Sequence, residues 1–341
     1  MKFKMFLNKV WNFLKKFPVF LLLGIFIPPT IYAGRYFFQT EHHYNNLFYS
    51  GNKIDGNPEN FEITSINPLF KVTDISSFSN YQGGACYKNY YALCSNNYEC
   101  LLIYDMNTNK VVHTIYTNSV NTDFHCNTMF FGPDFYKSTD KFPLLYISQE
   151  NQPSRCTIVC RLFQNGDAYS IEVVQTIYFT STKEDIYYPN SYFDYETYTL
   201  YYSGYTKNSY MRSDDNKIKF FSFALPDFRL IDVELDASEA EDTFVIDSET
   251  ATQGGFVSDG FLYQSFSGLQ EAAPPFNKPN EPPKLKIIDL NEGKLVKEYN
   301  DLTIFDVHDE FENIALTESG RIIAHGNTHL KLYEFKYKFA A

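Results

Sequence analysis

The chain has 341 residues, enough for two average domains or one large repeat fold. Its 28 tyrosines and 33 phenylalanines favour β-structure, because aromatic side chains fit a pleated, half-buried surface. The formal net charge of −12 repels phosphate groups, which argues against a nucleic-acid partner.

Residues 1–33 have the pattern of a secretory signal. Lysines lead into the apolar run 17–27, two prolines follow, and the small Ala33 stands where a peptidase could cut. The run is shorter than the ~20 residues that span a bilayer, so a cleaved signal is predicted, with an uncleaved membrane anchor as the alternative. Both readings place the rest of the chain outside the cytoplasm, as a secreted, periplasmic or cell-surface protein whose only membrane contact is this segment.

Residues 34–60 show little apolar periodicity and contain several Gly and Asn turn residues, which predicts an extended, loosely packed arm. From residue 61 to 341, short strands recur in a unit of roughly 45 to 65 residues, which is typical of a β-propeller. Each innermost strand opens with a polar residue, and these are Gln82, Asn127, Asn190, Gln253 and Glu312. The pattern predicts an all-β propeller of five blades, or six if residues 61–80 hold more than one strand.

The outer strands complete this scheme. In blade three, Ile218–Ala224 is predicted as the third strand and Leu230–Leu235 as the fourth. Blade five ends at Leu330–Phe335 without an outermost strand, while Ile66–Asp74 is an apolar strand without a blade. Because an open ring would leave an unpaired edge, these two segments are predicted to pair and close the ring.

The five polar residues are expected to form a ring at one mouth of the central channel. Long loops at 149–155, 203–217 and 266–284 are predicted to lie over the same face, where a rigid scaffold usually carries its binding site. Four carboxamides and one carboxylate suit a polar ligand, or a structural Ca²⁺ ion with ordered water. The competing interpretation is that channel-facing positions are wet and only need polar side chains.

The sequence gives little indication of metal binding or catalysis. The ionisable loop residues match no known metal or catalytic spacing, so solvated side chains are the favoured interpretation for Asp123, His125, His308, Asp309 and Glu310. No nucleophile, zinc or phosphate-loop motif is present, and no cofactor is expected. Gly83-Gly84 and Gly254-Gly255 open strands, which predicts close chain packing at the channel. The six cysteines admit disulfides in an exported chain, with free buried thiols as the alternative.

The units that begin Gln82-Gly-Gly and Thr252-Gln-Gly-Gly resemble those of the WD-repeat-like and quinoprotein-like propellers. More narrowly, residues 252–294 resemble the T-Q-G segment of the five-bladed glutaminyl cyclotransferases. In that family the glutamine helps line a tryptophan-rich substrate pocket, and Gln253 is the position the resemblance carries over.

The sequence therefore predicts an exported, non-catalytic propeller. Its partner is expected to be a small polar ligand, a sugar, a peptide or a protein, bound at the face with the long loops and the channel mouth. The alternative is a propeller enzyme, a cyclotransferase or hydrolase, with Glu312 as the acid or base.

Overall fold

The structure is a computed structural model that describes residues 48–71, 81–96, 99–117, 126–149, 155–166, 168–183, 185–207, 217–248, 251–267, 283–300, 302, 311–327 and 331–340. The predicted signal segment, the first part of the arm, most of the three long loops and the five ionisable loop residues lie outside these ranges. Within them, no helix is long and apolar enough to cross a membrane. Residues Leu47–Ala341 form one compact unit.

The described residues form five sheets, each a blade of the propeller, and all strand pairs are antiparallel except one in blade two. The first described strand, β1 (Phe61–Lys71), belongs to the last blade. Blade one contains β2 (Tyr81–Tyr87), β3 (Tyr90–Ser95), β4 (Cys100–Asp105) and β5 (Lys110–Tyr116). Blade two contains β6 (Cys126–Phe131), β7 (Leu145–Gln149), β8 (Cys156–Asn165) and β9 (Ala168–Thr180).

Blade three begins with β10 (Tyr187–Asp194), β11 (Thr199–Tyr205) and β12 (Lys217–Ala224). The chain then passes through β13 (Asp232–Asp236) and a 3₁₀ turn at Ala237–Glu239 to reach β14 (Asp242–Asp247). Blade four contains β15 (Thr252–Ser258), β16 (Phe261–Phe266), β17 (Lys284–Asp289) and β18 (Lys294–Tyr299). Blade five contains β19 (Phe311–Leu316), β20 (Ile322–Gly326) and β21 (Lys331–Phe339).

The predicted ring closure is confirmed. Strand β1 pairs antiparallel with β21 and becomes the outermost strand of blade five. The register matches Phe61 with Phe339 and Ile66 with Phe335. Residues 61–71 form this single strand, so the described sheets make five blades and not six.

The prediction for the outer edge of blade three is wrong. Residues 242–247 form its fourth strand, whereas β13 crosses to blade two and pairs in parallel with β9. The side chain of Gln175 donates to the carbonyls of Asp227 (2.8 Å) and Leu230 (2.9 Å), which holds the crossing chain at blade two. Strand β9 would otherwise expose an unpaired edge, and β13 covers it.

The core lies between adjacent blades. Inward-facing aromatic rings fill these layers: Phe179 and Tyr202, for example, stack at 4.8 Å between blades two and three. Alternation along the strands therefore buries four of the eight described tyrosines of blade three, and the abundance of aromatic residues reflects this packing.

Residues 48–60, here called the strap, run across the end of the channel where the innermost strands finish. The strap ends in a 3₁₀ turn at Pro58–Asn60, and it is packed rather than loose, since Ile54 is only 3% exposed. It contacts all five blades. The ring of Tyr49 packs edge-on against Tyr87 in blade one and Tyr195 in blade three. Hydrogen bonds join Tyr49 to Pro133 in blade two, Ile54 to Ser258 in blade four and Asn52 to Leu316 in blade five. The cavity left beneath it measures about 40 Å³, room for about three water molecules.

Candidate functional site

The five predicted ring residues lie at the opposite end of the channel from the strap, at or near the starts of the innermost strands. All five are buried, with exposed fractions between 0% and 8%: Gln82, Asn127, Asn190, Gln253 and Glu312. A polar group buried to this extent needs hydrogen bonds, so their partners determine what the site can do.

A β-bulge recurs at this end of the blades. In blade one, Tyr81 pairs with Ser95 and Gly84 pairs with Leu93, so two residues of β2 oppose one residue of β3. Blades two and four show the same shift, and in blade five Glu312 is the extra residue between two paired ones. Because a bulge re-aims a side chain and bends the strand, it gives the ring residues directions that a regular strand would not.

Blade three departs from this rule. Its register shift lies between Tyr187 and Asn190, so Asn190 follows the bulge instead of lying within it. Asn190 nevertheless forms a hydrogen bond with Asn127, the ring residue of blade two.

The structure joins three blades through these side chains. Asn127 Nδ2 donates to Asn190 Oδ1 at 2.9 Å, and Asn190 Nδ2 donates to the hydroxyl of Thr252 at 3.3 Å. Gln253 follows Thr252, and its Nε2 donates to Ser267 Oγ at 2.6 Å. The carbonyl oxygen Oε1 of Gln253 is buried and has no hydrogen-bond partner among the described residues.

On the other side of the channel lies a chain of hydrogen bonds that the sequence did not reveal. Asn313 Nδ2 donates to Tyr91 Oη (3.0 Å), and Tyr91 Oη lies 2.6 Å from His325 Nδ1. His325 Nε2 is 2.5 Å from the carbonyl of Gln82. A carbonyl can only accept, so Nε2 carries the proton, Nδ1 accepts, and Tyr91 donates to it.

Burial determines the charge states of Tyr91 and His325 in this series of hydrogen bonds. It lowers the pKa of His325 to about 3, although the hydrogen bond to Gln82 acts the other way. It also raises the pKa of Tyr91 well above its usual value. Both groups are therefore neutral at physiological pH, and both ring nitrogens of His325 are occupied.

A second network of hydroxyl groups lies between blades two and three. Ser191 Oγ is at its centre, 2.6 Å from Ser148 Oγ and 3.0 Å from Thr157 Oγ1. Thr128 donates to the carbonyl of Ser191 at 3.1 Å. The sequence signal for this network is the hydroxyl residue that directly follows each ring asparagine, as in Asn127-Thr128 and Asn190-Ser191.

The expected role of the glycines is confirmed. A β-carbon at Gly84 would overlap with Tyr91 Oη, and one at Gly255 would lie 2.5 Å from the carbonyl of Tyr263. The backbone therefore approaches its neighbours more closely at these strand starts than any larger residue allows.

The remaining sequence signals contribute little to the site. All six cysteines are buried and carry free thiols. Within the described residues, no group of three or more His, Cys, Asp and Glu side chains could hold a metal ion. The ring face thus offers neutral donors and acceptors, together with the buried carboxyl group of Glu312, and this chemistry suits hydrogen-bonded recognition.

No protein-family model and no curated protein matches this sequence. Solved structures of β-propeller proteins are similar to it at fold level. A glutaminyl cyclase from Myxococcus xanthus shares 11% identity over 82% of this chain and 97% of its own, with a TM-score of 0.42. The PQQ-bound aldose sugar dehydrogenase from Streptomyces coelicolor shares 10% identity over 83% and 100%, with a TM-score of 0.49.

A streptogramin B lyase shares 8% identity over 82% of this chain and 98% of its own, with a TM-score of 0.38. Likeness at this level carries no activity across, and the assignment of fold rests on the strand order and ring closure described above. The chain is a five-bladed β-propeller closed by its own N-terminal strand.

Proposed function

We propose that this chain is an exported, non-catalytic propeller that binds a small polar ligand at the ring face. The observation that carries the proposal is the buried Oε1 of Gln253, which lacks a partner among the described residues although the amide nitrogen of the same side chain is held by Ser267. Leaving a buried acceptor unsatisfied costs about 1–3 kcal/mol, and a ligand that donates a hydrogen bond would recover it.

Two further buried hydroxyl groups support a ligand site at the ring face. The hydroxyls of Ser95 and Ser203 are buried without a hydrogen-bond partner in the described part of the chain. They lie in β3 and β11, at the end of each strand that neighbours the ring. A ligand with several hydroxyl or amide groups, such as a sugar or a short peptide, has the matching donors and acceptors.

The position of the strap supports the proposal that the ligand enters the channel from the ring side. It covers the opposite mouth, and the cavity beneath it is only about 40 Å³, too small for an organic ligand. Export is proposed on the lysine-rich and apolar pattern of residues 1–33.

The observed chemistry favours binding over catalysis. His325 is neutral with both nitrogens engaged, and Glu312 is fully buried. The single tryptophan of the chain is Trp11, so the tryptophan-rich pocket expected of a glutaminyl cyclotransferase has no counterpart in the propeller.

The test is a thermal-shift screen of the full-length chain against monosaccharides, disaccharides, dipeptides and Ca²⁺. A ligand present at 100 times its dissociation constant should stabilise the fold by about 2.7 kcal/mol. Gln253→Met should abolish the shift. Gln175→Met should leave it unchanged, because that buried glutamine also lacks a partner for Oε1 among the described residues but belongs to the outer part of blade two.

Equal binding by the wild type and Gln253→Met would overturn the proposed site. Turnover of a hit compound that is lost in Glu312→Gln would overturn the non-catalytic assignment.

A further inference from the structure

A second cavity lies away from the channel, between blades three and four. Its volume is about 220 Å³, which is below the range of pockets for drug-sized ligands. We propose that this cleft binds a primary alkylammonium group, presented by a free diamine or by a lysine side chain of a peptide.

The strand register of blade three builds one wall. Tyr201 in β11 pairs with Ser222 in β12, and Ser222 pairs with Asp242 in β14. Residues directly opposite each other share a face of the sheet, so these three side chains form a row across the blade. Phe244 follows two residues after Asp242 on the same face, and Leu290 approaches from blade four.

Tyr201 supplies the observation that points to a ligand. Its side chain lines the cavity and is only 6% exposed, yet no described residue hydrogen-bonds to its hydroxyl. Its neighbours in β11 differ: Tyr202 donates to Thr157 at 2.8 Å and Tyr205 donates to Thr252 at 3.0 Å. The side chain of Tyr201 is buried while its hydroxyl opens into the cleft, so the partner of this hydroxyl is expected to come from outside the chain.

The charge around this hydroxyl is negative. Burial, followed by the carboxylates of Asp194, Asp242, Asp289 and Glu241, raises the pKa of Tyr201 to about 12. None of the described residues that line the cavity is basic. A cation in the cleft would therefore meet an attractive potential without competing with a lysine or arginine of the lining.

The arrangement suits an organic cation better than a metal ion. Asp194 accepts from the amide of Glu196 at 3.0 Å, and Asp289 accepts from the amide of Asn291 at 2.9 Å, so both cap turns. No metal-binding group of side chains occurs within the described residues.

The groups that would recognise a ligand are the hydroxyl of Tyr201, two carboxylates and two apolar side chains, and the polar residues Thr197, Thr199, Ser222 and Asn291 complete the described lining. Glu241 and Asp242 can neutralise an ammonium group, and Tyr201 Oη can accept a hydrogen bond from it. Phe244 and Leu290 offer apolar surface to the methylene groups, and an aromatic ring also attracts a cation. A short alkylammonium ion combines these two requirements.

The experiment is isothermal titration of the full-length chain with three probes. These are 1,5-diaminopentane, Nα-acetyl-lysine methylamide and pentan-1-ol, which keeps the aliphatic chain but lacks the charge. The two ammonium probes distinguish a free diamine from a lysine side chain, and saturable binding of either supports the proposal. Pentan-1-ol should not bind.

Variants locate the site. Tyr201→Phe keeps the ring in the core and removes the hydroxyl, so it should weaken binding about fivefold to tenfold. Glu241→Gln changes an exposed residue and should weaken it to a similar extent without a risk to folding. The control is Asp247→Asn, which makes the same charge change on β14 at an exposed side chain outside the cleft and should leave the affinity within twofold.

Absence of saturable binding by both ammonium probes would overturn the proposal. So would equal losses of affinity in Glu241→Gln and Asp247→Asn, because the attraction would then come from the net negative charge of the protein rather than from the cleft.

Discussion

The side-chain oxygen of Asn313 lies directly against the α-carbon of Gly254, where it would overlap with any β-carbon. The amide nitrogen of Asn313 donates to the carbonyl of Gly84 at 2.9 Å. One amide side chain of blade five therefore touches the innermost strands of blades four and one. The centre of the propeller depends on this close approach, which only glycine permits.

Gly254→Ala should destabilise the protein by at least about 3 kcal/mol, because the new methyl group must displace a buried amide that cannot move without losing its hydrogen bonds. Urea unfolding measures the change. The double variant Gly254→Ala/Asn313→Ala should be less destabilised than the sum of the single variants, since removing the amide relieves the clash. Simple additivity would show that the two residues do not interact in this way.

Gly166→Ala provides a contrast for the glycine prediction. Gly166 has a φ of +64°, but among the described residues no heavy atom beyond its chain neighbours lies within 4 Å of the place that a β-carbon would take, so the backbone conformation is what opposes alanine. The expected cost is about 1 kcal/mol.

His325 should make stability depend on pH below about 6.5. Its folded pKa is about 3, against an ordinary value of 6.5, so between these values the unfolded chain binds a proton that the folded chain does not. Stability should therefore fall by about 1.4 kcal/mol for each pH unit below 6.5, and the contribution should be constant above it. Urea unfolding at several pH values measures this for the wild type and for His325→Gln.

The difference between those two proteins isolates the histidine, because other titrating groups contribute to both. A difference that does not change between pH 7.5 and pH 5 would contradict a buried, neutral His325.

All six cysteines should resist alkylation in the folded protein. Burial raises the pKa of Cys100 to about 11 and raises those of Cys86 and Cys160 further, so the reactive thiolate is scarce at pH 8 and the sulfur atoms are covered. Iodoacetamide should add no label to the native chain and six labels in guanidinium without reductant, as counted by mass spectrometry. Fewer than six labels after denaturation would reveal a disulfide.

The strap should contribute substantially to stability. Ile54 is 3% exposed, and Ile54→Ala should cost about 2–5 kcal/mol through lost burial and the cavity that remains. Ile231→Ala is the matched control, because Ile231 is 54% exposed and its truncation should cost less than about 0.5 kcal/mol. Similar denaturation midpoints for both variants would mean that the strap is not held as described.

Local pattern was sufficient to predict the repeat, the strands that open on polar residues and the closing strand. Hairpin turns and alternation carry that information, and the apolar segment near Ile66 had no other partner. The path of β13 was predicted wrongly, because a strand that leaves its own blade has the same local pattern as one that stays.

The chain of hydrogen bonds through Tyr91, His325 and Asn313 could not be foreseen for a related reason. Tyr91 and His325 are 234 residues apart, and nothing near either residue indicates the other. The ring prediction was more accessible because its members share a position in the repeat. The contact between Asn127 and Asn190 agrees with it, whereas a shared ligand for all five side chains stays a prediction.

The pairing of Phe61 with Phe339 has a consequence for how the protein is made. The two strands that complete blade five are separated by nearly the whole propeller, so this contact forms only after Phe339 has been synthesised. Until then the growing chain carries an uncovered sheet edge at each end, and such long-range pairing is slow because of the entropy lost in closing the loop. We expect the final docking of β1 to limit the rate of folding, and the intermediate before it to be the species most prone to aggregation.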